Sequence, residues 1–111
     1  DNDRLAANVA VLLGADLLIL LTDIDALYDC DPKQNENAQR IKIVEEITPE
    51  IEAMAGKAGS KFSVGGMATK IAAAKLCVTN GVDMVVADGS DATIIEKVID
   101  GDDVGTLFLR K

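Results

Sequence analysis

Apolar residues along this chain fall into two kinds of pattern. Some recur at helical spacing; others form short unbroken runs. Leu5, Val9 and Leu12 recur at helical spacing, which predicts a helix over 4–14 with Gly14 as its stop and Asp3 at the capping position. Residues 16–21 read Asp-Leu-Leu-Ile-Leu-Leu, a continuous apolar run of the kind found in strands covered on both faces. A second such run, 83–87, predicts another buried strand. Between them, Met67, Ile71, Ala74 and Val78 share one face of a helix over Met67–Thr79, which Asn80-Gly81 ends.

The remaining segments follow from turn and cap chemistry. Residues 29–42 are polar, carry Asp31-Pro32 with Asn35 and Asn37, and read as a loop or a weak hairpin. Residues 43–47 suit a short strand. Thr48-Pro49-Glu50 then opens a helix, with Thr48 as cap, Pro49 at the first helical position and acids in the first turn; it should end by Gly56. Residues 57–66 are rich in Gly, Ser and Lys and are expected to be a mobile loop. A helix over 91–99, capped by Ser90 or Asp91, and a last strand within 104–109 complete the order. Buried strands alternating with helices predict an α/β fold, a mostly parallel sheet sandwiched by helices.

Composition narrows what such a domain does. The 111 residues suit one domain, and hydrophobic residues at 49% with aromatics at 3% require an aliphatic core. The net charge of -8, from 19 acidic and 11 basic residues, leaves no basic face for nucleic acid. An anion site in so acidic a chain must be built locally, from helix N-termini and a few lysines. There is no histidine, so His-based triads and His-ligated zinc are excluded. Cys30 and Cys77 form no metal or redox motif, and read as inert thiols of a reducing cytoplasm. No apolar run reaches the ~18 residues of a membrane span. Residue 1 is Asp, directly ahead of a helix, which points to a native chain that began earlier.

In open parallel sheets, ligands sit beyond the carboxyl ends of the strands. That edge would carry Thr22 and Asp23 after the first run, and Asp88-Gly89-Ser90 after the second. The same residues also suit the plainer task of ending a strand and starting a turn. Val64-Gly65-Gly66-Met67-Ala68-Thr69-Lys70 is the most informative stretch: two glycines enter a helix with a lysine in its first turn. Such a backbone can approach a phosphate closely, although the stretch lacks the spacing of a Walker A loop and a double glycine also serves as a hinge. Asp1-Asn2-Asp3 suits capping on pattern alone; its functional alternative is to hold an ammonium, a lysine or hydrated Mg²⁺. Lys57 and Lys61 are loop lysines that either touch phosphate or stay solvated.

Together and in this order, Asp1–Leu5, Ala15–Asp23 with Leu27-Tyr28, Gly65-Gly66-Met67 with Thr69-Lys70, and Val104–Phe108 resemble the glutamate 5-kinases of the amino-acid kinase family. The resemblance covers essentially the whole chain. It implies transfer of the γ-phosphoryl group of ATP to the side-chain carboxylate of L-glutamate, with Mg²⁺, in a cytoplasmic homo-oligomeric enzyme of proline biosynthesis. Residues 1–111 would be the C-terminal, nucleotide-binding part of that kinase domain. By the same resemblance, Thr22, Asp23 and the run Val64, Gly65, Gly66, Met67, Ala68, Thr69 and Lys70 contact the nucleotide. Asn2 matches a glutamate-binding position, Lys70 a catalytic lysine, and Asp3 the acid that orients the catalytic lysines. Val64 departs from the family, which usually has a small hydroxyl residue there. The family's N-terminal half, with a second catalytic lysine and much of the glutamate pocket, has no counterpart among these residues, so the chain alone is expected to be inactive. The alternatives are a part of another amino-acid kinase, acting on aspartate, acetylglutamate, carbamate or a nucleoside monophosphate, or a non-catalytic nucleotide-binding module.

Overall fold

A computed structural model describes residues 2–30, 32–57 and 66–111. Val64 and Gly65 of the glycine-rich stretch, with Asp1 and Lys61, lie outside the described residues, as does the side chain of Lys57. The helices are α1 (Asn2–Leu13), α2 (Pro49–Lys57), α3 (Met67–Thr79) and α4 (Ile94–Ile99); the strands are β1 (Leu17–Thr22), β2 (Ile43–Val44), β3 (Asp83–Asp88) and β4 (Thr106–Phe108).

The strands form one sheet in the order β1-β3-β4-β2. β1 runs parallel to β3, from Leu17 opposite Asp83 to Thr22 opposite Asp88. β2 runs parallel to β4, while β4 is antiparallel to β3, so the sheet is mixed. Element lengths explain the reversal. β3 advances about 20 Å, but the six residues of α4 return only about 9 Å, too little to carry the chain back for a parallel re-entry. The chain turns instead at Gly105, and Thr106 pairs with Val86 near the finishing end of β3.

Side chains alternate across the sheet as the pleat requires. Met84 and Val86 of β3, Leu18 and Leu20 of β1 and Phe108 of β4 face the main core with α1, α2 and α3. Val85, Ala87, Leu17 and Leu107 face the other side, where Ile94 and Val98 of α4 cover them. β3 is therefore covered on both faces, as its unbroken apolar run predicts, whereas Leu21 of β1 and Ile43 of β2 stay exposed.

α3 holds the centre of the larger layer, packed against α1, α2 and β3. Its burial extends beyond the predicted Met67, Ile71, Ala74 and Val78 to include Lys70, Ala73 and Cys77. It ends as expected at Asn80-Gly81: Gly81 has φ +79° and the Val82 amide donates to the Cys77 carbonyl at 3.0 Å. α2 starts as read, the Thr48 hydroxyl accepting from the Ile51 amide at 3.3 Å, and runs on through Lys57. Tyr28 and Arg40 form an isolated antiparallel bridge across the polar segment read as a loop or weak hairpin.

Two local expectations, the cap of α1 and the span of α4, are corrected. α1 buries Ala7 and Ala10, while Leu5, Val9 and Leu12, whose spacing predicts the helix, are exposed, Leu12 to 85%. The two helices meet through alanines, which let their backbones approach; the larger apolar residues are left on the outer side. Asp3 does not cap α1, because the helix already includes Asn2 and holds Asp3 in its first turn. α4 is shorter than 91–99: the Asp91 carboxylate accepts from the amide and hydroxyl of Thr93 at 2.8 and 2.7 Å, making a turn ahead of the helix. Ser90 instead donates its amide and hydroxyl back to Asp88, at 2.9 and 2.7 Å.

Candidate functional site

Topology gathers the candidate residues at one end of the molecule. α1 runs about 18 Å, turns at Gly14, and β1 returns about 20 Å beside it. The start of α1 and the finish of β1 are therefore at the same end. α3 and β3 repeat the arrangement through the Asn80-Gly81 turn. Because β1 and β3 are parallel and in register, Asn2, Asp3, Thr22, Asp23, the Gly66–Lys70 turn and Asp88-Gly89 all belong to that edge.

The edge is joined by side-chain and main-chain bonds. Lys70 is 6% exposed, and its ammonium Nζ lies 3.1 Å from Asp3 Oδ2. The Thr69 hydroxyl reaches the same Oδ2 at 2.9 Å and the Gly66 carbonyl at 2.8 Å. A lysine in an otherwise apolar buried face costs several kcal/mol unless paired, of order 3–5 when its partner is removed. Asp3 meets that requirement and, with its side chain 22% exposed, remains open to solvent on one side. Gly66 precedes the helix and makes no side-chain cap bond, and its carbonyl accepts from the Thr69 amide at 3.2 Å, so the positive dipole end of α3 lies at the same level.

At the finish of β1, the Thr22 hydroxyl accepts from the Ile24 amide and sits 3.3 Å from Asp23 Oδ1, with Asp23 exposed. The Thr22 carbonyl accepts from the Gly89 amide at 2.8 Å, locking the two strand ends together. A Cβ at position 89 would stand 3.2 Å from Leu21 Cβ and 3.3 Å from the Thr22 amide nitrogen, so the absent side chain keeps the strand ends close. Amide and hydroxyl bonds from Ser90 hold the Asp88 carboxyl below its usual range. Beyond β1, the Tyr28 hydroxyl donates to Asp25 at 3.0 Å; burial, then the Asp25 carboxylate, push the phenol upward.

Of the sequence candidates, Asp3, Gly66, Thr69 and Lys70 come into one bonded cluster, and Thr22 and Asp23 share its end of the sheet. Asn2 is exposed beside Asp3 in the first turn of α1. Met67 is 5% exposed and packs in the core; Ala68 is exposed. Sequence reading gave no role to Asp25 with Tyr28, and no spacing signal marks them. Burial pushes the Cys77 thiol up, in keeping with an inert group. An open groove of about 410 Å³ along Ile43–Glu46, Thr48 and Ile51 contains none of the candidates, and Glu45 and Glu46 disfavour an anion there. Among the described residues no three His, Cys, Asp or Glu cluster as a metal site, and no helix is long and apolar enough to cross a membrane.

Helices packed over a mixed sheet, with the Asp3–Lys70 pair at the finishing end of its parallel strands, define an α/β domain. Residues 1–88 match the amino acid kinase family, and the chain belongs to that family. Its relatives include the glutamate 5-kinases of Clostridium perfringens, 50% identical over all 111 residues, and Clostridium acetobutylicum, 51% identical over the same length. The chain spans 41% and 42% of those two proteins, and 29% of the Moorella thermoacetica glutamate 5-kinase, to which it is 51% identical. Solved structures share the fold at lower identity. The uridylate kinase of Archaeoglobus fulgidus has a TM-score of 0.71 at 22% identity, covering 97% of this chain and 47% of that one. Carbamate kinase from Giardia lamblia bound to AMP-PNP has a TM-score of 0.69 at 22% identity, covering 100% of this chain and 32% of that one.

Proposed function

We propose that the chain is the nucleotide-binding part of an ATP-dependent glutamate 5-kinase, which transfers the γ-phosphoryl group of ATP to the side-chain carboxylate of L-glutamate. The observation that carries this reading is the Asp3–Lys70 pair, set at the start of α3 and at the finishing end of β1 and β3. About 50% identity over the whole chain to glutamate 5-kinases supports it.

Phosphoryl transfer asks a protein for alignment and charge compensation more than for covalent chemistry. In this reading the Val64–Lys70 stretch contacts the polyphosphate, and Thr22 and Asp23 contact the nucleotide from the β1 end. Lys70 offsets the negative charge that gathers on the transferred group. Asp3 keeps that ammonium aimed; it is not needed as a base, because a carboxylate acceptor is already ionised at neutral pH. Asn2, exposed one residue before Asp3, would bind glutamate. Mg²⁺ normally keeps water and phosphate oxygens as ligands and takes one or two carboxylates from protein. The described donor set fits a cation carried by the phosphates, where it neutralises charge, rather than one held in a protein cage.

The test is a chimera in which residues 1–111 replace the matching segment of the Clostridium perfringens enzyme. ATP- and glutamate-dependent acyl phosphate, trapped as the hydroxamate, is the expected product, and Lys70→Ala in the chimera should remove at least 100-fold of it (about 3 kcal/mol). A chimera that folds and binds Mg·ATP yet phosphorylates only carbamate or a nucleoside monophosphate would move the chain to another branch of the family.

A further inference from the structure

The cluster at the start of α3 contains a side chain placed to act through another. Thr69 is half-buried, and its hydroxyl lies 2.9 Å from Asp3 Oδ2 and 2.8 Å from the Gly66 carbonyl. Both neighbours are acceptors, and a hydroxyl carries one proton. The charged carboxylate is the stronger acceptor and takes the proton, while the carbonyl three residues back, the usual neighbour of a helical threonine hydroxyl, goes with a fixed rotamer. In that rotamer the hydroxyl is also fixed against the oxygen that the Lys70 ammonium approaches at 3.1 Å.

We infer that Thr69 is a positioning residue for Asp3: it pins the carboxylate through Oδ2, and so sets where the carboxylate holds the Lys70 ammonium. This rests on the nucleotide reading above and deepens it, because the Thr69 hydroxyl would contribute without itself touching the nucleotide. Asp3 and Thr69 are 66 positions apart and belong to different helices, so the hydroxyl also ties α1 to the glycine turn through the Gly66 carbonyl. A threonine that served only to satisfy the helix would need the Gly66 bond alone.

The experiment is a double-mutant cycle on the 111-residue chain, read as Mg·ATP affinity by calorimetry, with amide spectra confirming the fold of each variant. Thr69→Val should weaken binding about three- to ten-fold, the worth of one ordinary hydrogen bond. Thr69→Ser, which keeps the hydroxyl, should recover most of that loss. In an Asp3→Ala background, Thr69→Val should cost nothing further, because its partner is gone. An equal loss in both backgrounds would show Thr69 contacting the nucleotide directly and overturn the inference, as would no loss in either. Should Thr69→Val not fold, Thr69→Ala against Thr69→Ser gives the same comparison. A parent chain that binds no Mg·ATP removes the nucleotide reading itself, and this inference with it; a parent that binds, with additive variants, removes the inference alone.

Discussion

Lys70 and Asp3 are 67 positions apart in sequence and meet at 3.1 Å, Nζ to Oδ2, joining the first turns of α3 and α1. Breaking the pair from one side leaves a nearly buried charge without this partner. Asp3→Asn should therefore lower stability by about 1–3 kcal/mol, moderated by the partial exposure of Asp3. Replacing both together, Asp3→Leu with Lys70→Met, should restore much of the loss, since apolar isosteres of a buried pair are often neutral. Urea unfolding measures both. If the pair serves function, the double variant regains stability without regaining nucleotide affinity.

Thr106 fastens β4 to the hairpin beneath it. Fully buried, its hydroxyl accepts from the Leu27 amide at 2.9 Å and donates to the Ile41 carbonyl at 2.6 Å. Thr106→Val keeps the volume and removes both bonds, leaving a donor and an acceptor unsatisfied in the interior. The expected loss is about 2–4 kcal/mol, with Thr106→Ser retaining most of it. A shift in the urea midpoint at unchanged slope would confirm that packing is otherwise preserved.

Two glycines of similar backbone angle should respond very differently to alanine. Gly14 has φ +65° with nothing within 4 Å of a would-be Cβ, so Gly14→Ala should cost only the left-handed penalty of about 1–2 kcal/mol. Gly105 has φ +66°, but its Cβ would fall 2.1 Å from the Val86 carbonyl oxygen in the neighbouring strand. Gly105→Ala must push β3 and β4 apart, and should cost several times more or prevent folding. Thermal unfolding of the two variants side by side checks the difference.

Acid sensitivity has a local source in the turn before α4. The Lys97 ammonium, at 2.8 Å, and the amide and hydroxyl of Thr93 lower the Asp91 carboxyl to about 2. Because the folded value lies below the unfolded one of ~3.9, the stabilisation is complete above that pH. It is lost as pH falls from there toward 2. Asp91→Asn should therefore flatten the acid limb of a urea-midpoint profile between about pH 5 and 2, and change little of its slope near neutrality. An unchanged acid limb would contradict the assignment.

Much of the architecture could be read from the residues because caps and covered strands leave local marks. The bounds of α3 follow from Gly66 before it and Asn80-Gly81 after it, and β3 shows as an unbroken apolar run because helices lie on both its faces. What pattern could not reveal is which of two apolar stripes turns inward. On α1 the larger stripe of Leu5, Val9 and Leu12 lost to Ala7 and Ala10, since close helix contact favours small side chains. Strand direction was equally hidden: the antiparallel entry of β4 follows from the shortness of α4, and pattern extended that helix to residue 91. Lys70 did carry a signal, being in phase with Met67, Ile71, Ala74 and Cys77 on a buried face where a charge is out of place. Its partner was marked only by the alternative reading of Asp1-Asn2-Asp3 as a lysine-holding cluster and by resemblance, because on pattern Asp3 before an apolar helix looks like a cap and the contact spans 67 positions.

The most direct measurement of the nucleotide site is a titration of the ¹⁵N-labelled chain with Mg·ATP, followed by amide chemical shifts. Saturable changes should gather at Gly66–Lys70, at Thr22 and Asp23, and at the adjoining Gly89, and should vanish in Lys70→Ala. Shifts confined to the groove at Ile43–Ile51, or the same affinity after Lys70→Ala, would contradict a phosphate site at the start of α3.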